Sequence, residues 1–251
     1  MAPVATPAIV LATLRYGDTS KIVRLATRDL GVQSAIAKGA FRPKSKFGAA
    51  LQVLSDGHAQ LYMKEGRELQ TLGAFDLSKL RIELAEDLDR YAAANALAEV
   101  MLRCAPPAPH PAAFDALRNG LDALTIAPTM AIEVLALRVL WQLVGVLGFA
   151  PSLELCARCS APLDLDLGLA FSPRDGGALC PACAVGHPVS RLSREDAEGL
   201  RRLVAGDGDL PLLEPRHAAA HRRLLARWVR EHLGEGAPLP ALEYWQDRHR
   251  A

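Results

Sequence analysis

The chain has 251 residues, half of them hydrophobic, with 29 Lys+Arg against 28 Asp+Glu and a formal net charge of +1. That length admits one large domain or two to three small ones, and the composition excludes a disordered or collagen-like chain. The near-neutral total hides an uneven split: residues 1–80 carry 11 basic against 6 acidic side chains, and the remainder carries 18 against 22.

Read from its start, "MAPVATPAIVLATL" contains two prolines and no positive charge, a poor match to a signal peptide. From Ala8 to Phe75 the pattern is β. "AIVLATL", "SKIVRLAT", "VQSAIAKG", "ALQVLSDGHAQLYM" and "RELQTLGAF" are short runs, several of them alternating, separated by turn-like clusters such as "YGDTS", "RDLG" and "KEGR". Five strands in about 70 residues match the size of a small closed barrel of the five-stranded Greek-key (OB) type, which leaves no unpaired edge.

Between the third and fourth predicted strands stands "KGAFRPKSKFG", residues 38–48, a long loop at one end of that barrel. It concentrates Lys38, Arg42, Lys44 and Lys46 within nine residues, and no Asp or Glu occurs between Asp29 and Asp56. Such a loop can neutralise phosphates, releasing condensed counterions with little sequence preference. Phe41 and Phe47 interleave with the cations, and aromatic faces stack unpaired bases for about 1–3 kcal/mol each. Arg15, Lys21 and Arg24 are expected to extend the patch across the barrel face. The competing reading is a solubilising loop whose two phenylalanines fold back into the core.

Near Ser78 the period becomes helical. "SKLRIELAEDLDRYAAANALAEVMLRCA" spaces Leu84, Leu88, Tyr91, Leu97 and Met101 along one helix, which the prolines at 106, 107, 109 and 111 end. Its acidic run Glu83, Glu86, Asp87 and Asp89 reads as a solvated face. A second helix carries Phe114, Leu117, Leu121 and Leu124, and a third runs from Thr129 to Leu147 with Gly148 as terminator. That third segment is the most membrane-like, but Glu133, Arg138 and Gln142 interrupt it, so it reads as a buried helix. "SRED" at 193–196 has the spacing of a capping box, opening a helix that ends near Gly206. The last helix, "RHAAAHRRLLARWVREHLG", carries Leu224, Leu225, Trp228, Val229 and Leu233, with Gly234 just beyond. His217 and His221, four apart, could clamp a metal, but no HExxH glutamate accompanies them and they read as surface histidines.

The strongest chemical signal is "CARC" at 156–159 with "CPAC" at 180–183. Two Cys-x-x-Cys turns at this separation can present four thiolates to one tetrahedral Zn2+. Iron in the same ligand set, or two independent redox-type or unligated pairs, are the alternatives. Four cysteine ligands leave no open position, so the metal is expected to be structural, replacing a core in a segment too small to have one. Gly176 and Gly177 supply a tight turn before the second pair. His187 is a spare ligand that a complete cysteine set does not need, and Cys104 reads as a small buried hydrophobe. Five cysteines without an export signal predict a reducing, cytoplasmic setting. There is no Walker loop, GxGxxG or GxSxG, and no catalytic residue is assigned.

Taken in order, "IVLATLRYGDTSKIVRLATRDLGVQSAIAKGAFRPKSKFGAALQ", "GFAPSLELCARC", "FSPRDGGALCPAC" and "HRRLLARWVREHLG" resemble segments of the RecO family of bacterial recombinational repair mediators. Two departures are Ser160, where many members have Gly after the second cysteine, and the tail "GAPLPALEYWQ". The resemblance implies an α+β multidomain chain: an OB-fold DNA-binding barrel (1–78), then a helical domain (79–150 and 191–251) with an embedded four-cysteine zinc finger (151–190). It also implies binding of single- and double-stranded DNA, annealing of complementary strands, cooperation with RecR, docking on the acidic C-terminal tail of single-strand binding protein and, through these, loading of RecA. A protein-only adaptor and a metal-dependent enzyme are the competing classes.

Overall fold

The computed structural model describes residues 3–233 and 236–248. The chain divides into two compact units, Met1–Ile126 and Ala127–Ala251. The first unit is built on β1 (Val4–Tyr16), β2 (Ser20–Thr27), β3 (Gly31–Ala37), β4 (Asp56–Tyr62) and β5 (Leu69–Lys79), followed by α1 (Leu88–Cys104) and α2 (Pro111–Ile126).

The five strands close into a barrel in the order β1-β2-β3-β5-β4. Closure depends on β1, which pairs with β2 along one edge and β4 along the other; a register shift between Val10 and Ala12 bends it round. The parallel pairing of β3 with β5 is the crossover of a Greek key. Inward positions alternate as a pleated strand requires: Ala8 and Val10, Val23 and Leu25, Ala35 and Ala37, Ala59 and Leu61. So many alanines leave room inside, which Phe47, Leu51 and Phe75 fill. Burying one such large side chain contributes about 1.5–3 kcal/mol. Part of the predicted fourth strand therefore has another role. Residues 50–55 form no strand; they carry Leu51 and Leu54 into the interior.

The first helix also begins later than its periodicity predicts. β5 continues to Lys79, a single 3-10 turn spans Ile82–Ala85, and α1 starts only after Asp87, whose carboxylate accepts from the backbone N–H of Asp89 and Arg90. Asp87 is thus a helix cap, not part of a solvated face. A buried ion network ties the strands to α2. The Arg81 guanidinium donates to Asp122 (2.9 Å), to Asp56 (3.1 Å) and to the Leu54 carbonyl (2.8 Å). Arg118 holds both Asp56 oxygens, at 2.8 and 2.9 Å.

The second unit contains α3 (Ile132–Val144), a three-stranded sheet of β6 (Leu169–Ser172), β7 (Gly177–Leu179) and β8 (Ser190–Leu192), the short α4 (Pro181–Ala184), then α5 (Arg194–Ala205), α6 (Pro215–His232) and α7 (Pro240–Asp247). Thr129–Phe149 is long and apolar enough to cross a membrane. Its Ala136, Leu137, Leu140, Trp141 and Val144 are packed inside this unit, and Arg138 donates to the carbonyls of Gly208 and Asp209. The predicted terminator Gly148 stands at φ 93°, where glycine alone is at ease. Ser193 caps α5, accepting from the Asp196 N–H while its hydroxyl donates back to the Asp196 carboxylate. α6 runs to His232; the terminator predicted for it, Gly234, lies outside the described residues. At the centre, Trp228 meets Trp141 and Phe171 at 5.9 and 5.4 Å between ring centroids.

Candidate nucleic-acid interface and metal centre

The basic loop leaves β3 at Ala37 and folds back over one end of the barrel. Its two phenylalanines part company. Phe47 is 2% exposed and belongs to the barrel core, so it is not a stacking face. Phe41 stays at the surface, anchored by its N–H on the Thr19 carbonyl (2.9 Å). The Arg15 guanidinium and the Lys21 ammonium lie 5.5 and 5.2 Å from its ring centroid. Arg15 and Lys21 are themselves partners across the β1–β2 ladder. Three residues from three chain segments thus make one cationic aromatic platform.

Lys38, Arg42, Lys44 and Lys46 are exposed, and among the described residues none forms a salt bridge. Lys46 lies over the buried Phe47 ring at 5.5 Å. The acids nearest in sequence are occupied: Asp29 accepts from Thr6 (2.8 Å), and Asp56 is held by Arg81 and Arg118. Among the described residues, no carboxylate pairs with the four loop cations.

Lys21 and Arg24 do not form a continuous patch. An odd separation along a strand places two side chains on opposite faces. Lys21 turns into the barrel end, donating to the Leu51 carbonyl at 3.0 Å, and burial holds its ammonium below its ordinary pKa. Arg24, opposite Ser34 in the ladder, is exposed on the outer wall. Strand parity alone could have separated them.

The four cysteines of the second unit do converge. The Sγ atoms of Cys156, Cys159, Cys180 and Cys183 lie within 4.8 Å of one another, with Cys159 and Cys180 3.8 Å apart. Zn–S bonds of about 2.3 Å in a tetrahedron require sulfurs about 3.8 Å apart, so the set fits such an ion. The scaffold is backbone pairing between two turns. Cys156 N–H donates to the Ala161 carbonyl (2.8 Å) and Ala157 N–H to that of Ala178 (2.9 Å), while Ala178 and Ser152 form a further link at 2.8 Å. Gly177 is obligatory here, since a Cβ would meet the Ser152 oxygen at 2.2 Å. The second pair sits at the start of α4, where Pro181 occupies the first turn.

The close-set thiols perturb one another in opposite directions. Burial, which opposes ionisation, is outweighed at Cys156 by backbone N–H donors of Cys180, Cys159 and Arg158, and its pKa falls to about 6. Cys183, hydrogen-bonded to the sulfurs of Cys180 and Cys159, is pushed up to about 12. A cation among the four removes the conflict. His187 stands outside the set, against Arg158 and 3.6 Å from Asp175. Ser160 stands at φ 59°, the left-handed conformation that glycine adopts freely.

His217 and His221 are not surface residues. His221 is 2% exposed, and Asp196 faces both, at 2.5 Å from His217 and 3.7 Å from His221. Burial presses the His221 imidazolium below its ordinary pKa, against the pull of Asp196. The carboxylate arrives from α5, a tertiary juxtaposition that helix spacing could not announce.

A closed barrel with an exposed cationic loop, and a helical unit carrying four cysteines close enough to share a metal ion, define a two-module protein. The family model for the recombination protein O N-terminal region matches residues 1–81, and that for its C-terminal region matches 85–243. Similar proteins titled "DNA repair protein RecO" include one from Symbiobacterium thermophilum, 36% identical over 201 residues and 79% of each chain. One from a Nocardioides species is 34% identical over 91% of this chain and 94% of its own, and one from Rubrobacter xylanophilus 32% identical over 92% and 90%. The chain belongs to the RecO family.

Proposed function

We propose that the protein is a non-catalytic DNA-binding mediator of recombinational DNA repair. The observation that carries this reading is the loop of Lys38, Arg42, Lys44 and Lys46 beside the Phe41 platform, exposed and unmatched by carboxylates. Phosphates neutralise its cations, Phe41 offers a base a stacking face, and Arg15 and Lys21 hold that face in place. Arg24 gives the outer wall a separate phosphate contact. Single- and double-stranded DNA both present the required charge. A surface that binds by charge can hold two complementary strands near each other without a cofactor, which is what annealing needs.

In this reading one Zn2+ is held by Cys156, Cys159, Cys180 and Cys183. It supplies fold energy to the knuckle and no chemistry. The protein works in the cytoplasm with RecR and the acidic tail of single-strand binding protein, so that RecA loads onto coated strands.

The test is reversal of the loop, Arg42→Glu with Lys44→Glu and Lys46→Glu, followed by titration with single-stranded DNA across salt. Affinity is expected to fall by orders of magnitude at modest salt. The log–log salt slope should flatten by about 0.7 per lost phosphate contact. A triple variant with the wild-type slope overturns the reading.

A further inference from the structure

Beside the Phe41 platform the first unit holds a cavity of about 430 Å³, within the range of about 300–1,000 Å³ used by small-ligand sites. Leu51 and Leu54 line it from the barrel side, and Ile82 and Tyr91 from the 3-10 turn and α1. Ile82 and Tyr91 are 57% and 43% exposed, so apolar surface faces the opening without a partner. Lys21 and Gln52 bring polar side chains, and the Arg81 guanidinium at its edge is already taken up by Asp56 and Asp122.

The cavity wall is fixed in advance. Leu54 sits at φ 72°, a conformation unfavourable to a leucine. It is held there by its N–H on the Val10 carbonyl (2.7 Å) and by the Arg81 guanidinium on its own carbonyl (2.8 Å). Backbone strain of this kind persists where the surroundings over-determine it, and it concentrates at ligand sites.

Lys21 joins cavity to platform. Its ammonium spends one donor on the Leu51 carbonyl, lies 5.2 Å from the Phe41 centroid, and forms no salt bridge among the described residues. Two of its three N–H groups remain for a guest. A cationic guest is repelled, and a purely apolar one would cover the ammonium without a counter-charge. A guest with a flat apolar body and an attached anion satisfies every wall. We propose that this cavity is a base-binding subsite that takes one unstacked nucleotide of the strand held by the 38–48 loop. The base lies against Tyr91 and Ile82, and its phosphate meets Lys21. The subsite rests on the nucleic-acid reading above and adds to it a place for a base.

The experiment compares two labelled strands of equal length on the full chain: an oligothymidylate, and an abasic strand with the same phosphates and no bases. Tyr91→Ala is expected to weaken the oligothymidylate about 5- to 10-fold, the lower end of base–aromatic stacking, and to leave the abasic strand within about twofold. Lys21→Met should weaken both, and Tyr91→Phe should match wild type. Ile82→Ser, at an exposed position, repeats the base-only loss without touching the aromatic ring. An oligomer carrying 5-iodouracil should photocrosslink wild-type protein at Tyr91. Equal losses on both strands, no loss on either, or crosslinks confined to Phe41 overturn the subsite. Wild-type protein that binds neither strand brings down the nucleic-acid reading itself. Binding that responds to the triple loop reversal but not to Tyr91→Ala removes the subsite alone.

Discussion

The barrel and the cysteine knuckle are each too small for a conventional two-layer core, and they are held together by different means. The barrel encloses Val10, Val23, Leu25, Phe47, Leu51, Leu61 and Phe75 in one apolar cluster. The knuckle buries Leu153, Leu169, Phe171 and Leu179, and beyond these it has four sulfurs drawn to one point. Support spread over many side chains loses a fraction when one is removed. Support from a single ion, as proposed for the knuckle, is lost whole.

On the proposed zinc reading, the sharpest break of that comparison is removal of the metal. Apparent binding energies of structural zinc are about 10–16 kcal/mol in finger peptides, so chelation, or Cys156→Ser, should collapse the knuckle. The readout is intrinsic, because Trp141, Trp228 and Trp245 all lie in the second unit and Phe171 of the knuckle packs on Trp228. Tryptophan emission should change while the far-ultraviolet β signal of the barrel persists. Unchanged emission, from protein that carries no metal as purified, contradicts the prediction. Next in size is Phe47→Ala. Truncating a buried phenylalanine costs about 3–5 kcal/mol, which should lower the barrel's urea midpoint and leave the tryptophan transition in place. A loss below about 1 kcal/mol means that Phe47 does not plug the barrel. The smallest effect sharpens the knuckle itself: Ser160→Gly removes a left-handed strain of about 1 kcal/mol and should raise the melting temperature of the metal-loaded protein by a few degrees. No gain would show that the turn tolerates serine without cost.

Where the sequence was readable, and where it was not, follows from the range of the interactions. Strand alternation and Cys-x-x-Cys spacing are local, and both the five strands and the four-cysteine cluster stand in the structure. The start of α1 was obscured because Leu84 and Leu88 keep a helical interval across a 3-10 turn, and only the Asp87 side chain marks the true beginning. "LQVLS" alternates like a strand, yet Leu51 joins the barrel core beside its small alanines and Leu54 is buried next to it. Phe41 and Phe47 are alike in composition and neighbours. Only the path of the loop decides that one is core and the other surface. The carboxylate that faces the buried His221 stands 25 positions earlier, beyond any local pattern.

Closing the ring of strands has a consequence for how a polymer is gripped. β1 closes the ring by pairing with β4 through Val4–Ile9 and with β2 through Ala8–Tyr16, which shortens the edge left for an incoming chain. On the proposed nucleic-acid reading, contact falls to side chains on a loop and along the rim, each worth little and each released independently. Attachment of that sort is quickly made, easily shifted along a thread, and readily surrendered to whatever binds next.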